Sequence, residues 1–289
     1  MTEPLLKAEG LTKIYGSYCA LDSLTLGIAP GEVVGLLGPN GSGKTTSLRL
    51  FLGFMKPTSG KATIAGFDCW DQSVEARRHA TYLPGELRLY ESMTGRQLVA
   101  FLAKLRGSAI GANIDALAKR LDIDPDKQLT QMSSGMKRKV ALLAVLVPDV
   151  PLIILDEPTN TLDPTMRDEF IEQLKLAKAA GKAILFSSHV LQEVEAVCDR
   201  VAILRKGKLV HMQDMAELRE ARRVTGCFEG KAPAEGPSGE RLPDNPKFDI
   251  EFRGALKSLM HWLEKQSLTD LKIERLGLGN IYRNYHANG

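Results

Sequence analysis

The chain has 289 residues, a formal charge of +3, 25% charged residues and 44% hydrophobic ones, which is ordinary globular composition and excludes a disordered or fibrous chain. So small a net charge gives no sign of the basic face that nucleic-acid binders carry, and no nucleic-acid partner is expected. The four cysteines, Cys19, Cys69, Cys198 and Cys227, include no CxxC pair, which argues against a zinc site or a disulfide framework and suits a reducing cytoplasm. The opening MTEPLLKAEG lacks a basic start followed by an apolar run, and no stretch reaches the roughly 18 apolar residues of a membrane helix, so neither export nor spanning is expected.

From Leu5 to Val34, short apolar runs broken by turn residues such as Ile28-Ala-Pro-Gly-Glu32 predict short antiparallel strands. Val33 to Leu37 is a continuous apolar run, followed by a Gly-rich loop and by helical spacing from Thr45 to Phe54. Residues from about Glu86 to Val147 are mostly of helical period, with Leu98, Phe101, Leu102 and Leu105 on one face, and read as a helical subdomain. Leu152–Leu155 and Ala183–Phe186 are buried-strand runs separated by the helical Met166–Ala179, a βαβ crossover with parallel strands. Val201–Leu204 and Lys208–Val210 around Lys206-Gly207 predict a hairpin. Gly230 to Pro246 has the composition of a linker or exposed loop. Strands at Phe248–Phe252 and Leu268–Ile273, and helices at Ala255–Lys265 and near Asn280–His286, make a small α+β appendage. No internal repeat is apparent.

Gly38-Pro39-Asn40-Gly41-Ser42-Gly43-Lys44-Thr45 fits the GxxxxGK[ST] phosphate loop. Such a loop works between a buried strand and a helix, where main-chain N–H groups wrap phosphate at the helix's positive end, and both flanks are present. Lys44 is expected to reach the β- and γ-phosphates, Thr45 to hold Mg²⁺ through its hydroxyl, and Thr46 to cap the α/β-phosphates. Leu152-Ile-Ile-Leu155-Asp156-Glu157 has the form of a second strand delivering acids beside that loop. Asp156 would bind Mg²⁺ and Glu157 would polarise an attacking water, although four aliphatics before two acids also describe a plain strand end with solvated carboxylates.

The order of these motifs resembles the ATP-binding cassette family over about the first 220 residues. The resemblance implies a RecA-like P-loop NTPase α/β core with an N-terminal antiparallel β subdomain, a helical subdomain at about 86–147 and a cassette spanning 1–221, leaving 222–289 as a C-terminal accessory domain. Met132-Ser133-Ser134-Gly135-Met136 stands where the family has its signature loop, and Ser133, Ser134 and Gly135 would then meet ATP held by a second subunit; on its own, Ser-Ser-Gly before a basic helix is also an N-cap. Thr161-Leu-Asp163 resembles the dimer-contact loop. His189 resembles the switch histidine that senses the γ-phosphate and, with Glu157 and Lys44, completes the implied catalytic set, while a lone histidine is otherwise an ordinary surface residue. Tyr15 matches the adenine-stacking aromatic, with Tyr18 second, and core packing is the alternative for Tyr15.

One departure stands out. The family's glutamine before the helical subdomain is missing from Tyr82-Leu-Pro-Gly85-Glu86: Gly85 occupies its place, and Glu86 is a further candidate Mg²⁺ ligand. A similar replacement is seen in the drug- and sodium-export branch, which this chain resembles most. The resemblance implies an ATPase homodimer using ATP and Mg²⁺, peripheral on the inner face of the cell membrane, powering an exporter whose substrate path lies in a separate integral-membrane permease facing Leu87–Tyr90. The appendage is expected to support the dimer through its aromatic terminal helix, Ile281–Tyr285. A soluble cassette ATPase of translation or DNA repair would bring two cassettes, zinc modules or long coiled coils. A GTPase would bring an NKxD-type motif, and a module without hydrolysis would lack Glu157 or Lys44. None of these features occurs.

Overall fold

Apolar residues alternating with polar ones set two long strands, β1 (Leu6–Tyr15) and β2 (Tyr18–Ile28), paired antiparallel from Leu6 opposite Ile28 to Tyr15 opposite Tyr18. They run longer than the short strands expected because register shifts between Ala8 and Ile14 let the pairing bend and continue. The run Val33–Leu37 is β3, buried at every residue. After it come α1 (Lys44–Phe51), β4 (Ser59–Ile64), β5 (Phe67–Asp68), α2 (Ser73–Arg78) and β6 (Ala80–Leu83). The computed structural model describes residues 3–107, 109–110, 113–230, 232–242 and 245–286.

The helical segment contains α3 (Gly95–Arg106), α4 (Ile114–Arg120) and α5 (Ser134–Leu146). Thr94 and Gln97 close a reciprocal capping box at the start of α3. The expected stripe on α3 is only partly right: Leu98 is buried, but Leu105 is 66% exposed and Val99 and Ala103 take its place inside. Nor is the segment helical from Glu86, since α3 begins only at Gly95.

The chain then alternates β7 (Leu152–Asp156), α6 (Pro164–Ala179), β8 (Ala183–Ser187), α7 (Leu191–Val197), β9 (Arg200–Arg205) and β10 (Lys208–Asp214). Lys206 and Gly207, both at positive φ, make the two-residue turn before β10. The six-stranded sheet has the order β10-β9-β3-β8-β7-β6, with β3 parallel to β8 and β9, and β7 parallel to β6 and β8. A second sheet has the order β2-β1-β4-β5. Leu21, Leu24, Leu48, Phe51, Ile64, Ile154 and Leu185 share one core cluster, so the helix after the phosphate loop is buried between sheet residues. This is the α/β P-loop architecture that the motifs implied.

Two compact units divide the chain, Met1–Met212 and Gln213–Gly289. In the second, α8 (Met215–Glu220) precedes β11 (Arg222–Phe228), the centre of an antiparallel sheet whose other strands are β12 (Lys247–Phe252) and β13 (Leu268–Arg275), accompanied by α9 (Leu256–Leu263) and α10 (Leu278–His286). Val224, Phe228, Phe248, Leu259 and Leu263 form its core. Leu242 joins that core, so the segment read as a linker supplies a buried anchor.

The helix after the phosphate loop ends at Phe51, three residues earlier than its periodicity suggested. Gly53 stops it: at φ +64°, it lets its own N–H reach Leu50 O at 3.0 Å and that of Phe54 reach Arg49 O at 2.9 Å, the paired bonds of a Schellman motif. A Cβ on Gly53 would stand 1.9 Å from Cys69 O. Gly53→Ala is therefore expected to destabilise the chain by at least about 2 kcal/mol, from left-handed strain plus overpacking, measured as a lowered midpoint in urea unfolding.

Candidate active site

The turn from β3 to α1 places Gly38 to Thr46 at the carboxyl edge of the parallel sheet, where ligands bind in open α/β folds. Gly43 begins α1 at φ +107°, and a Cβ there would lie 2.9 Å from Ala20 O, so only glycine fits. Lys44 is buried; its Nζ donates to the carbonyls of Gly38 at 2.7 Å and Pro39 at 3.2 Å. Burial holds its pKa below the ordinary lysine value, an effect that the nearby Glu157 and Asp156 charges oppose. Ser42 Oγ is buried with no hydrogen-bond partner among the described residues.

Parallel pairing of β7 with β8, in register from Leu152 opposite Ala183 to Asp156 opposite Ser187, carries the acids to the same edge. Thr45 Oγ1 donates to Asp156 Oδ2 at 3.2 Å, and Ser187 Oγ donates to Asp156 Oδ1 at 2.7 Å. A hydroxyl and a carboxylate so placed form a hard oxygen donor set that suits Mg²⁺ sharing its shell with phosphate and water. Gly85 leaves room there, since a Cβ on it would lie 3.6 Å from Asp156 Oδ2. Among the described residues no group of three or more His, Cys, Asp or Glu could hold a metal by itself.

Glu157 turns away from the strand at φ +48°, a conformation that costs a non-glycine residue about 1–2 kcal/mol. Its N–H donates to Ser187 Oγ at 3.0 Å, and its carboxylate Oε2 lies 2.6 Å from His189 Nδ1. Thr159 Oγ1 and Ser188 Oγ both donate to Glu193 Oε2, at 2.9 and 3.0 Å, joining the turn after Glu157 to the one before His189.

An open cleft of about 1030 Å³ brings together Lys44, Thr45, Thr46, Asp156, Glu157 and Glu86 with Asn40, Gly41, Ser42, Gly43, Tyr15 and Tyr18. Tyr15 and Tyr18 are 47% and 58% exposed, so neither packs in the core. Tyr15 is held by its hydroxyl on Met55 Sδ at 3.2 Å, with Lys13 Nζ 5.1 Å from its ring centroid. Gly38 and Pro39 contribute the carbonyls that hold Lys44, and His189 touches Glu157, though none of the three lines the cleft. Ser133, Ser134, Gly135 and Asp163 also lie outside it. Ser133 and Asp163 cap α5 and α6, accepting from Met136 N at 3.3 Å and Met166 N at 3.0 Å. Ser134 is exposed at the start of α5, and Gly135 packs against Thr161, whose carbonyl oxygen would be 3.3 Å from an added Cβ.

A sequence model of the ABC transporter family matches residues 21–160. The ABC transporter ATP-binding protein NatA of Bacillus subtilis is 37% identical over 71% of this chain and 85% of its own length. Nod factor export ATP-binding protein I of Paraburkholderia xenovorans is 34% identical over 73% of this chain and 71% of its own. A solved ATP-binding subunit of an ABC transporter superposes with a TM-score of 0.70 at 30% identity, covering 74% of this chain and 92% of that one. The chain belongs to the ABC transporter ATP-binding family. As a member it binds ATP and is an ATPase, and the cleft with its phosphate loop and paired acids is where that chemistry fits.

Three residues of this neighbourhood escaped the sequence reading: Ser187, Glu193 and Arg138. Ser187 ends the apolar β8 run at full burial, and Arg138 shares the buried stripe Ala141, Leu142 and Val145 on α5, so a polar residue at an apolar period was the available signal. Ser187→Ala should lower the rate of ATP hydrolysis by about tenfold to a hundredfold, because Asp156 loses a donor and the Glu157 N–H an acceptor. Phosphate release against a thermal melt measures both this and the accompanying loss of about 1–3 kcal/mol in stability.

Proposed function

We propose that two copies of this chain close head to tail over two Mg·ATP, each cleft being completed by Ser133, Ser134 and Gly135 of the other copy. The observation that carries this reading is that Ser134 stands exposed at the N-terminus of α5, outside the cleft of its own subunit, which is itself open. The N-terminus of α5, a helix of 13 residues, favours an anion, and Ser133, Ser134 and Gly135 do not line the cleft of their own chain. Thr45 and Asp156 would hold Mg²⁺, with Glu86 in reach of the same cleft. Bound there, the ion neutralises charge on the β- and γ-phosphates.

Glu157 takes a proton from the attacking water as its oxygen bonds to the γ-phosphorus and the bond to the β–γ bridging oxygen breaks. His189, in contact with Glu157 Oε2, orients that carboxylate, and Lys44 offsets charge on the phosphates. Tyr15 gives adenine a ring to stack on. Loss of the γ-phosphate removes the anion both subunits hold, so the closed pair loosens, a population shift driven by the ligand.

The mechanical output goes to an integral-membrane permease, which would keep the chain peripheral on the inner face of the membrane. Phe54, Val74 and Leu105 are exposed around a groove that the half-buried Arg77 and Arg106 help to line, and Tyr90 is exposed on the segment after Gly85, an apolar surface that suits such a partner. Among the described residues no helix is long and apolar enough to cross a membrane. Export is the direction favoured by the likeness to the Nod factor export protein. The second unit supports the dimer through its aromatic terminal helix, Ile281–Tyr285, which lies within α10.

Size-exclusion chromatography with light scattering on wild type and Glu157→Gln, with and without Mg·ATP, tests the central step. Glu157→Gln should run as a dimer only with Mg·ATP and release phosphate about 10²- to 10⁴-fold more slowly, and a chain ending at Met212 should dimerise more weakly. An oligomeric state indifferent to nucleotide contradicts the reading.

A further inference from the structure

Arg138 lies three residues beyond Gly135 on α5, roughly 4.5 Å along the helix axis, yet it is only 2% exposed. Its Nε donates to Pro158 O at 2.9 Å. Its Nη1 donates to Pro84 O at 2.8 Å and to Gly85 O at 3.2 Å, and its Nη2 to Asp156 O at 3.1 Å and to Glu157 O. One rigid fork thus holds three pieces of chain: the helix bearing Ser134, the turn after β6, and the main chain running through both acids of the cleft. Burial pulls its pKa down to about 10, an effect opposed by the charges of Asp156 and Glu157, so the group stays a cation at neutral pH.

The grip falls where it has most leverage. Glu157 sits in the left-handed region, and its backbone is fixed by Ser187 on the N–H side and by Arg138 on the carbonyl side. Strain of that kind persists only while its surroundings over-determine it. Gly85 has no side chain, so the link of this turn to α5 runs through its carbonyl and that of Pro84. A shift of α5 on meeting a ligand at its N-terminus therefore moves the guanidinium, and with it the peptide that aims the Glu157 carboxylate.

We propose that Arg138 is a positioning residue that couples the two clefts: ATP held by one subunit, engaging the start of α5 in the other, sets through Arg138 the main chain of Glu157 in that second subunit. The proposal rests on the head-to-tail reading above and adds to it a route by which each cleft reports its occupancy to its partner. Coupling of this sort appears as positive cooperativity in ATP hydrolysis.

The test uses the full chain carrying Arg138→Lys, which keeps the charge but not the fork, and Arg138→Gln, which keeps two N–H donors without charge. Affinity for a fluorescent ATP analogue and Mg·ATP-dependent dimerisation are measured in the Glu157→Gln background, and phosphate release against ATP concentration in the active one. The expected result is affinity within about twofold, dimerisation retained, turnover lowered at least about tenfold, and a Hill coefficient that falls from above one in the wild type to one. Turnover and Hill coefficient unchanged in Arg138→Lys would overturn the coupling, as would a loss of turnover matched by an equal loss of affinity. Misfolding of both variants would also count against it, since a clamp whose alteration unfolds the chain has no freedom to shift. If the Glu157→Gln parent stays monomeric, the head-to-tail reading fails by itself; a parent that dimerises beside variants as cooperative as wild type fails the coupling alone.

Discussion

Parallel pairing of β3, β7 and β8 is the constraint on which the chemistry of this chain depends. Each strand is buried throughout and apolar up to its carboxyl end, so its register is set by packing on both faces and its polar residues fall at that end. That edge is where the phosphate loop follows Leu37, where Asp156 closes β7 and where Ser187 closes β8. Asp156 then ties the three together, with one carboxylate oxygen toward Thr45 and the other toward Ser187. A buried carboxylate is costly unless it is hydrogen-bonded, and these two hydroxyls satisfy it while leaving its outer side to a cation.

The turn after β7 answers a different demand. Glu157 has to leave the strand direction to face the cleft, and it does so at positive φ, held by Ser187, by Arg138 and by His189 on its side chain. Glu193 anchors the flanking turns through Thr159 and Ser188. The polar groups nearest the acids thus form connected networks, so that substitution at Ser187 or Arg138 disturbs geometry well beyond its own contacts.

Much of this was legible in the sequence because the signals were local. The phosphate loop, the apolar runs of β3, β7 and β8, and the acids at 156 and 157 are short motifs whose placement follows from strand period and parallel pairing. The features that were not legible are tertiary. The face of α3 differs from the expected one because Leu105 fits the helical period yet stays 66% exposed, while small Ala103 is buried. The length of α1 was overestimated because Gly53 stops it through a backbone conformation that periodicity does not register. Leu242 lies in a stretch of loop composition and packs against residues of β11 and β12 that lie outside it. Arg138 reads as one of three basic residues in Lys-Arg-Lys, and it is set apart from the half-buried lysines beside it by its place on the stripe of Ala141, Leu142 and Val145, a signal that only the packing of α5 makes plain. Ser133 caps α5, the local reading that its sequence also offered, and Asp163 caps α6 in the same way.

The central claim is that one cleft is built from two chains. Its most direct measurement mixes two variants in the Glu157→Gln background, one also carrying Lys44→Ala and the other Ser134→Arg, and determines oligomeric state and bound nucleotide with Mg·ATP. Alone, each should remain monomeric, the first for want of a phosphate grip and the second because its helix start is blocked. Together they should form a pair holding one ATP, between the intact loop of one chain and the intact Ser134 of the other. A mixture that stays monomeric, or a Ser134→Arg chain that pairs by itself as readily as its parent, would contradict the account.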